Sequence, residues 1–302
     1  MAKINWFPGH MAKSLKELKK SISDCDYVIE TCDARLPFSS RNPQLNKALQ
    51  NKNYMLLLTK ADLADPIQTV EWIDFFSQQK SDNLVSVMAI NSLYNAEVNN
   101  IRKRVLADNK HIIERAKSRG RRIKPIRIMI NGIPNTGKST LINSLIGKKS
   151  AQVSNRPGVT RSLNWLRAGT EFELLDTPGI LMPKLETVAE QIKLSISGAI
   201  KDDVLPLVEV ACGLILILAQ HYPHVLLEFY QIELNQDSDY SNWFTSYELL
   251  EKIALKLNII KTGGVPDPER TARRLLTEYR QGKLGRLSLE FPNQTTIFPT
   301  SL

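Results

Sequence analysis

Three cysteines are all that 302 residues contain. Cys25, Cys32 and Cys212 have neither the close spacing of a zinc site nor the even number of a disulfide framework, so they read as free thiols in a reducing compartment. Long apolar runs are missing too. The strongest, 210–219, is too short to span a bilayer, and Pro206 and Glu209 just before it predict a buried helix instead. Residues 1–11 have no apolar stretch of the kind that makes a secretory leader. A soluble, cytoplasmic chain without membrane contact is expected. Aromatic residues make up 7%, and no RNA-recognition signature with stacking aromatics occurs. No cluster resembles the acceptor site of a metabolic enzyme with a second substrate. The apolar content, 42%, fills ordinary cores, and the length suggests two domains.

What is present centres on Gly132-Ile133-Pro134-Asn135-Thr136-Gly137-Lys138-Ser139, a Walker A phosphate loop. Glycine turns let successive backbone N–H groups face a nucleotide phosphate. Lys138 reaches the outer phosphates, and the Ser139 hydroxyl binds Mg2+. Thr136, Gly137 and Thr140 complete the expected nucleotide contacts. Residues 126–130 before the loop read as a buried strand. Residues 139–146 after it read as a helix whose N-terminus meets the anion. A second cluster, Asp176-Thr177-Pro178-Gly179, ends another apolar stretch. There Asp176 is placed to hold Mg2+ through water, and the Gly179 N–H faces a terminal phosphate. Between the clusters, Thr160 in Arg156-Pro157-Gly158-Val159-Thr160 is a candidate for the Mg2+ shell and for a γ-phosphate contact; alone it would be an ordinary loop threonine.

Base recognition is expected far upstream. The apolar strand 54–58 runs into Thr59-Lys60-Ala61-Asp62, at the strand end where open α/β sheets bind ligands. Guanine offers N1–H and N2–H donors that one carboxylate accepts together, whereas adenine lacks that pair. Asp62 therefore predicts GTP, with the Lys60 stem covering the base. A further strand, 85–90, leads to Asn91-Ser92, whose loop would pass over the base. Both base elements precede the phosphate loop, so the order is permuted.

In that order the chain resembles the circularly permuted GTPases of ribosome assembly, and most closely the YlqF/RbgA family. The similarity includes Trp6-Phe7-Pro8-Gly9-His10-Met11-Ala12-Lys13, Asp33-Ala34-Arg35-Leu36-Pro37 and the base and phosphate elements above. It continues through Ser197-Gly198-Ala199-Ile200-Lys201-Asp202 to Gly282-Lys283-Leu284-Gly285-Arg286-Leu287. The resemblance implies GTP hydrolysis coupled to late maturation of the large ribosomal subunit. The implied partners are its precursor, the rRNA and ribosomal proteins at the docking site, with the free protein a monomer. It also implies K+ beside the phosphates with Asn135 as a ligand; the alternative is an asparagine kept for loop hydrogen bonds.

Two positions depart from the family pattern. Thr59 replaces an asparagine, and a hydroxyl has shorter reach and fewer partners than an amide, so weaker nucleotide affinity is expected. Ala89 stands where serine is usual, a mild change if the following loop works through its backbone.

Ile180 follows Gly179 where many small GTPases carry a glutamine, and isoleucine cannot orient water. His10, in the Pro8-Gly9-His10 loop, is the best replacement; the permuted order and the resemblance both bring it toward the phosphates. A neutral imidazole accepts a hydrogen bond from water. The catalytic set is thus His10, Lys138 and Thr160.

The net charge is +9, from 40 basic and 31 acidic residues. Eleven basic side chains fall within 102–127, and Lys13, Lys16, Lys19 and Lys20 add another face. Phosphate contact with folded RNA is the reading, a solvated surface the alternative. A mostly parallel sheet with one antiparallel edge is predicted for residues 1–183, with a helix over 95–117 and a hairpin around 168–170. Residues 184–302 are expected to form a second, helical domain, with helices near 188–200, 205–219, 225–230, 247–257 and 268–281; the resemblance implies RNA binding for it, and a lid or protein-docking domain is the alternative. Arg270, Arg273, Arg274, Arg280, Lys283 and Arg286 make that domain basic. Two function classes stay open: a ribosome-coupled GTPase, and a GTP-controlled scaffold for another RNA or protein complex.

Overall fold

The computed structural model describes residues 21–43, 49, 52–79, 83–147, 164–177, 179, 185, 187–235 and 239–293. A helix over 11–22, predicted by the 3- and 4-residue spacing of Leu15, Leu18 and Ile22, lies almost wholly outside them. Six strands make one sheet: β1 (Tyr27–Asp33), β2 (Tyr54–Thr59), β3 (Leu84–Ala89), β4 (Ile126–Asn131), β5 (Asn164–Ala168) and β6 (Phe172–Asp176). Their spatial order is β3-β2-β1-β4-β6-β5. Every pairing is parallel except the β5–β6 hairpin, in which Trp165 faces Leu175 and Leu166 faces Leu174. Gly169, at φ +70°, makes the hairpin turn. The permuted sheet with one antiparallel edge is as expected.

Strand periodicity distributes the core. Tyr27 and Ile29 of β1, Met55 and Leu57 of β2, Ile128 and Ile130 of β4, and Phe172 and Leu174 of β6 point to one face. There they meet Val98, Ile101 and Val105 of α2 (Asn95–Asp108) and Leu141, Ile142 and Leu145 of α4 (Lys138–Ile146). The intervening residues of the strands face the other side. Cys32, Leu56 and Leu58 pack on Trp72 and Phe76 of α1 (Pro66–Gln78). Helix α1 starts where Asp65 caps it, accepting from Ile67 N at 2.8 Å, with Pro66 in the first turn.

Helix 95–117 of the sequence reading is two helices, α2 and α3 (Lys110–Ser118), divided at Asn109. Asn109 turns its amide back on the Val105 carbonyl, at 2.8 Å, and its N–H on the same carbonyl. That local bond competes with helix continuation.

The remaining helices are α5 (Val188–Ile196), α6 (Leu207–His221), α7 (Pro223–Tyr230), α8 (Trp243–Lys256) and α9 (Pro268–Arg280), close to the expected positions. A capping box, Thr187 with Glu190, starts α5. Helix α6 is the hub of this part, buried from Val210 to Ala219 and flanked by α5, α8 and α9. Its apolar cluster is continuous with Val28, Met129 and Leu175 on the sheet. The helical region therefore covers part of the nucleotide sheet rather than standing apart from it. Among the described residues no single helix is long and apolar enough to cross a membrane; α6 and α7 together have the composition but bend by 112°. The three cysteines are free and buried, and burial pushes the Cys25 and Cys212 thiols up to about 12.

Candidate nucleotide site

The C-terminal ends of β1, β2, β4 and β6 lie along one edge of the sheet, and there the topology delivers Asp33, Thr59, the phosphate loop and Asp176. The loop leaves β4 at Gly132, where a Cβ would fall 2.4 Å from Thr31 Oγ1 and 2.5 Å from the Thr31 carbonyl. Only glycine fits that approach. Asn135 and Gly137 take left-handed φ of 61° and 81°, folding the loop before α4 begins at Lys138. Thr136 hydrogen-bonds Thr31 at 2.8 Å and donates within reach of the Ile133 carbonyl at 3.0 Å, fastening the loop to β1. Ser139 and Thr140 sit half-buried in the first turn of α4.

Lys138 is buried, with Nζ donating to the Ile133 carbonyl at 2.7 Å. Burial lowers its ammonium to about 8, against the pull of Asp176. Burial raises the Asp176 carboxyl to about 6, against the pull of Lys138. Asp176 Oδ1 is buried and has no hydrogen-bond partner among the described residues. An unsatisfied carboxylate oxygen at the end of β6, next to β4 and coupled to Lys138 of the phosphate loop, fits a hydrated Mg2+, a hard cation that takes oxygen ligands and keeps its waters. Gly179 lies against the same loop: a Cβ there would sit 2.7 Å from Pro134 Cα and 3.0 Å from Lys138 Nζ.

On the base side, the Thr59 hydroxyl lies 2.7 Å from the Thr136 carbonyl and 3.0 Å from the Cys32 carbonyl. The hydroxyl therefore links the end of β2 to the phosphate loop. Lys60 has φ 55°, and its Nζ pairs with Asp33 at 2.8 Å. Asp62 is exposed at the rim. Asn91 and Ser92 are buried, the Asn91 side chain accepting from Leu93 N at 3.0 Å and the Ser92 carbonyl from Ser144 of α4 at 2.6 Å. The Ala61 N–H donates to the Ile90 carbonyl, so the two base elements are joined through backbone.

Three sets of contacts at the site were not legible in the sequence. Asp33 holds Arg35 in a two-point ion pair, at 2.9 and 2.8 Å, as well as Lys60. Burial pushes the Asp33 carboxyl up, but Arg35 and Lys60 outweigh it and hold it well below the usual range. A pair of charges straight after a buried strand was the available signal, since buried charges need partners. Second, Asn135 Nδ2 donates to the Gly198 carbonyl at 2.6 Å, tying the phosphate loop to the end of α5. Third, two of the arginines assigned to the basic helical surface are tied by bonds within the chain, Arg286 while still exposed. Arg280 pairs with Asp202 at 2.8 Å and binds the Ser195 and Ile196 carbonyls. Arg286 binds the Ala61 and Ala64 carbonyls. Arg270, Arg273 and Lys283 remain exposed, and Arg274 pairs with Glu278. His10 and Thr160 lie outside the described residues.

A family profile described as 50S ribosome-binding GTPase matches residues 127–240. Ribosome biogenesis GTPase A of Bacillus pumilus is 40% identical over 96% of this chain and 99% of its own length. This chain belongs to the YlqF/RbgA family of ribosome-biogenesis GTPases. Mitochondrial ribosome-associated GTPase 1 of Mus musculus is 33% identical over 94% of the chain and 89% of its own length. The GNP-bound YlqF from T. maritima superposes with a TM-score of 0.61 at 26% identity, covering 94% of this chain and all of that one (100%). A GDP-bound YlqF structure matches with the same TM-score, 0.61, at 28% identity, over 92% of this chain and 100% of its own. YlqF membership accounts for the permuted order and for the position of the phosphate loop in mid-chain.

Proposed function

We propose that this chain is a late assembly factor of the large ribosomal subunit, binding the precursor in its GTP state and leaving it after hydrolysis. It is a GTPase, converting GTP and water to GDP and phosphate. One observation carries the reading: a phosphate loop, an unpartnered Asp176 carboxylate oxygen and the Thr59–Asp62 base element meet at a single sheet edge. The relatives named above as ribosome-biogenesis and ribosome-associated GTPases support the assembly role.

The phosphate-loop N–H groups, Thr136 through Thr140, bind the triphosphate, and Lys138 neutralises its outer charge. Asp62 reads the guanine edge while Lys60 covers the ring. Ser139 and Thr160 would hold Mg2+ directly and Asp176 through water, with Asn135 a ligand for K+; bound there, these cations neutralise charge developing on the transferring phosphoryl group. Gly179 offers its N–H to the γ-phosphate. His10 orients or deprotonates the attacking water, which Ile180 cannot do.

Residues 1–183 make the GTPase domain and 184–302 the helical RNA-binding domain, a division by task, since the two share a core. The exposed Arg270, Arg273 and Lys283, with the basic stretch after α3 (Arg119, Arg121, Arg122 and Lys124), supply phosphate contacts to rRNA. The working compartment is the cytoplasm, and the partners are rRNA and ribosomal proteins of the precursor. Capture of precursor large subunits with a non-hydrolysable GTP analogue, compared with GDP, tests this. Retention with the analogue and release with GDP is expected; equal retention would favour a scaffold for another complex.

A further inference from the structure

The guanine-reading loop is held from outside by the segment that follows α9. Asp62 sits in a turn closed by the Leu63 N–H donating to the Lys60 carbonyl at 3.0 Å, while the carbonyls of Ala61, Leu63 and Ala64 turn to the segment after α9. Arg286 Nε donates to the Ala64 carbonyl and Nη2 to the Ala61 carbonyl, each at 2.9 Å. The Leu287 N–H donates to the Leu63 carbonyl at 3.0 Å, and Ser288 Oγ accepts from Asp65 N at 3.2 Å. Gly282 packs so closely on Leu63 that a Cβ would lie 2.6 Å from its Cδ2. One guanidinium thus bridges the residues on either side of Asp62 and Leu63. A planar fork of fixed geometry spans two carbonyls in a way that a single ammonium does not.

We infer that Arg286 is a positioning residue for guanine specificity: it sets the place of Asp62 without touching the nucleotide. This rests on the reading of Asp62 as the acceptor for guanine N1–H and N2–H. A carboxylate accepts those two donors only when its oxygens lie in the plane of the base, so a small displacement of the loop costs the second bond first. The phosphate loop belongs to another strand and is fastened through Thr31 and Thr59, so Arg286 leaves phosphate affinity alone.

The test compares GDP with inosine diphosphate, which lacks the N2 donor, by titration calorimetry. The native protein should favour GDP by roughly 10- to 100-fold, the worth of one hydrogen bond to a charged acceptor. Arg286→Ala should narrow that ratio at least about fivefold while inosine diphosphate affinity changes by less than about threefold. Arg286→Lys, which keeps the charge and stem and guards against a folding defect, should narrow it as well. A native ratio near one would overturn the Asp62 reading and the inference with it. A native preference that both variants retain overturns the role of Arg286 alone. Equal loss of both ligands would make Arg286 a general structural residue and equally overturn it.

Discussion

The Thr59 hydroxyl and the Thr136 carbonyl stand 2.7 Å apart, joining the end of β2 to the phosphate loop. A hydroxyl has one proton, so Thr59 serves either this carbonyl or that of Cys32 at 3.0 Å, but not both at once. An asparagine amide has two N–H donors for the same pair. Thr59→Val, nearly the same shape, should weaken GDP binding by roughly 3- to 10-fold, in keeping with about 1 kcal/mol for a buried hydrogen bond. Thr59→Asn should match or exceed native affinity. Fluorescence titration of the three proteins decides it; Val at native affinity would mean the link carries no binding energy.

Lys138 is the loop's one ammonium, and burial has already lowered it to about 8. A bound triphosphate pairs with the ammonium and favours its charged form. Lys138→Ala should lower GTP affinity by roughly 10- to 100-fold, the range for hydrogen bonds to charged groups. The helical region should stay folded, because α6 packs against α5, α8 and α9 without this side chain. Titration alongside far-UV circular dichroism separates the two effects. Native GTP affinity and turnover in the variant would remove Lys138 from the phosphate site.

Asp33 is the anionic centre of a buried cluster, with Arg35 2% exposed and stacked over the Tyr279 ring at 4.9 Å. Asp33→Asn leaves that guanidinium buried without its counter-charge and should cost about 3–5 kcal/mol at pH 7. The folded carboxyl lies below its unfolded value. Its stabilisation is therefore complete above the unfolded pKa near 4 and is lost as pH falls through the lower folded value. Urea denaturation should show a gap between native and variant that holds from pH 8 to 5 and shrinks toward pH 3. A gap independent of pH down to 3 would mean the carboxylate charge is not what stabilises the cluster.

The chain's own periodicities made the sheet and nearly every helix legible. β2 and β4 read as largely apolar strands because both their faces are covered, and Gly-x-x-x-x-Gly-Lys-Ser announces its strand–loop–helix context. The boundary at Asn109 was not legible: the residues around it suit a helix, and only a local side-chain bond interrupts it. The long-range pairings were hidden for another reason. Asp33 with Lys60, Asn135 with Gly198 and Arg286 with Ala61 join residues that stand 27, 63 and 225 positions apart. No local pattern reports such a partner. A surface arginine and one that clamps a loop look alike in sequence, so Arg280 and Arg286 were counted with the exposed Arg270 and Arg273.

Turnover depends on a water-positioning group that Ile180 cannot provide, and His10 is the candidate from sequence. Water orientation matters in the transition state far more than in the ground state. His10→Ala should therefore lower the rate stimulated by large-subunit particles on the order of 10- to 100-fold while GTP affinity stays within about twofold. The native enzyme should be slow alone and faster with the particles, and faster in K+ than in Na+ if Asn135 helps hold a cation beside the phosphates. Single-turnover hydrolysis, with and without purified subunits and in each salt, separates the outcomes. Full stimulation of His10→Ala would take the histidine out of the reaction. Equal rates in the two salts would remove K+ but leave His10 untouched. No stimulation of the native enzyme would favour a GTP-controlled scaffold for another complex.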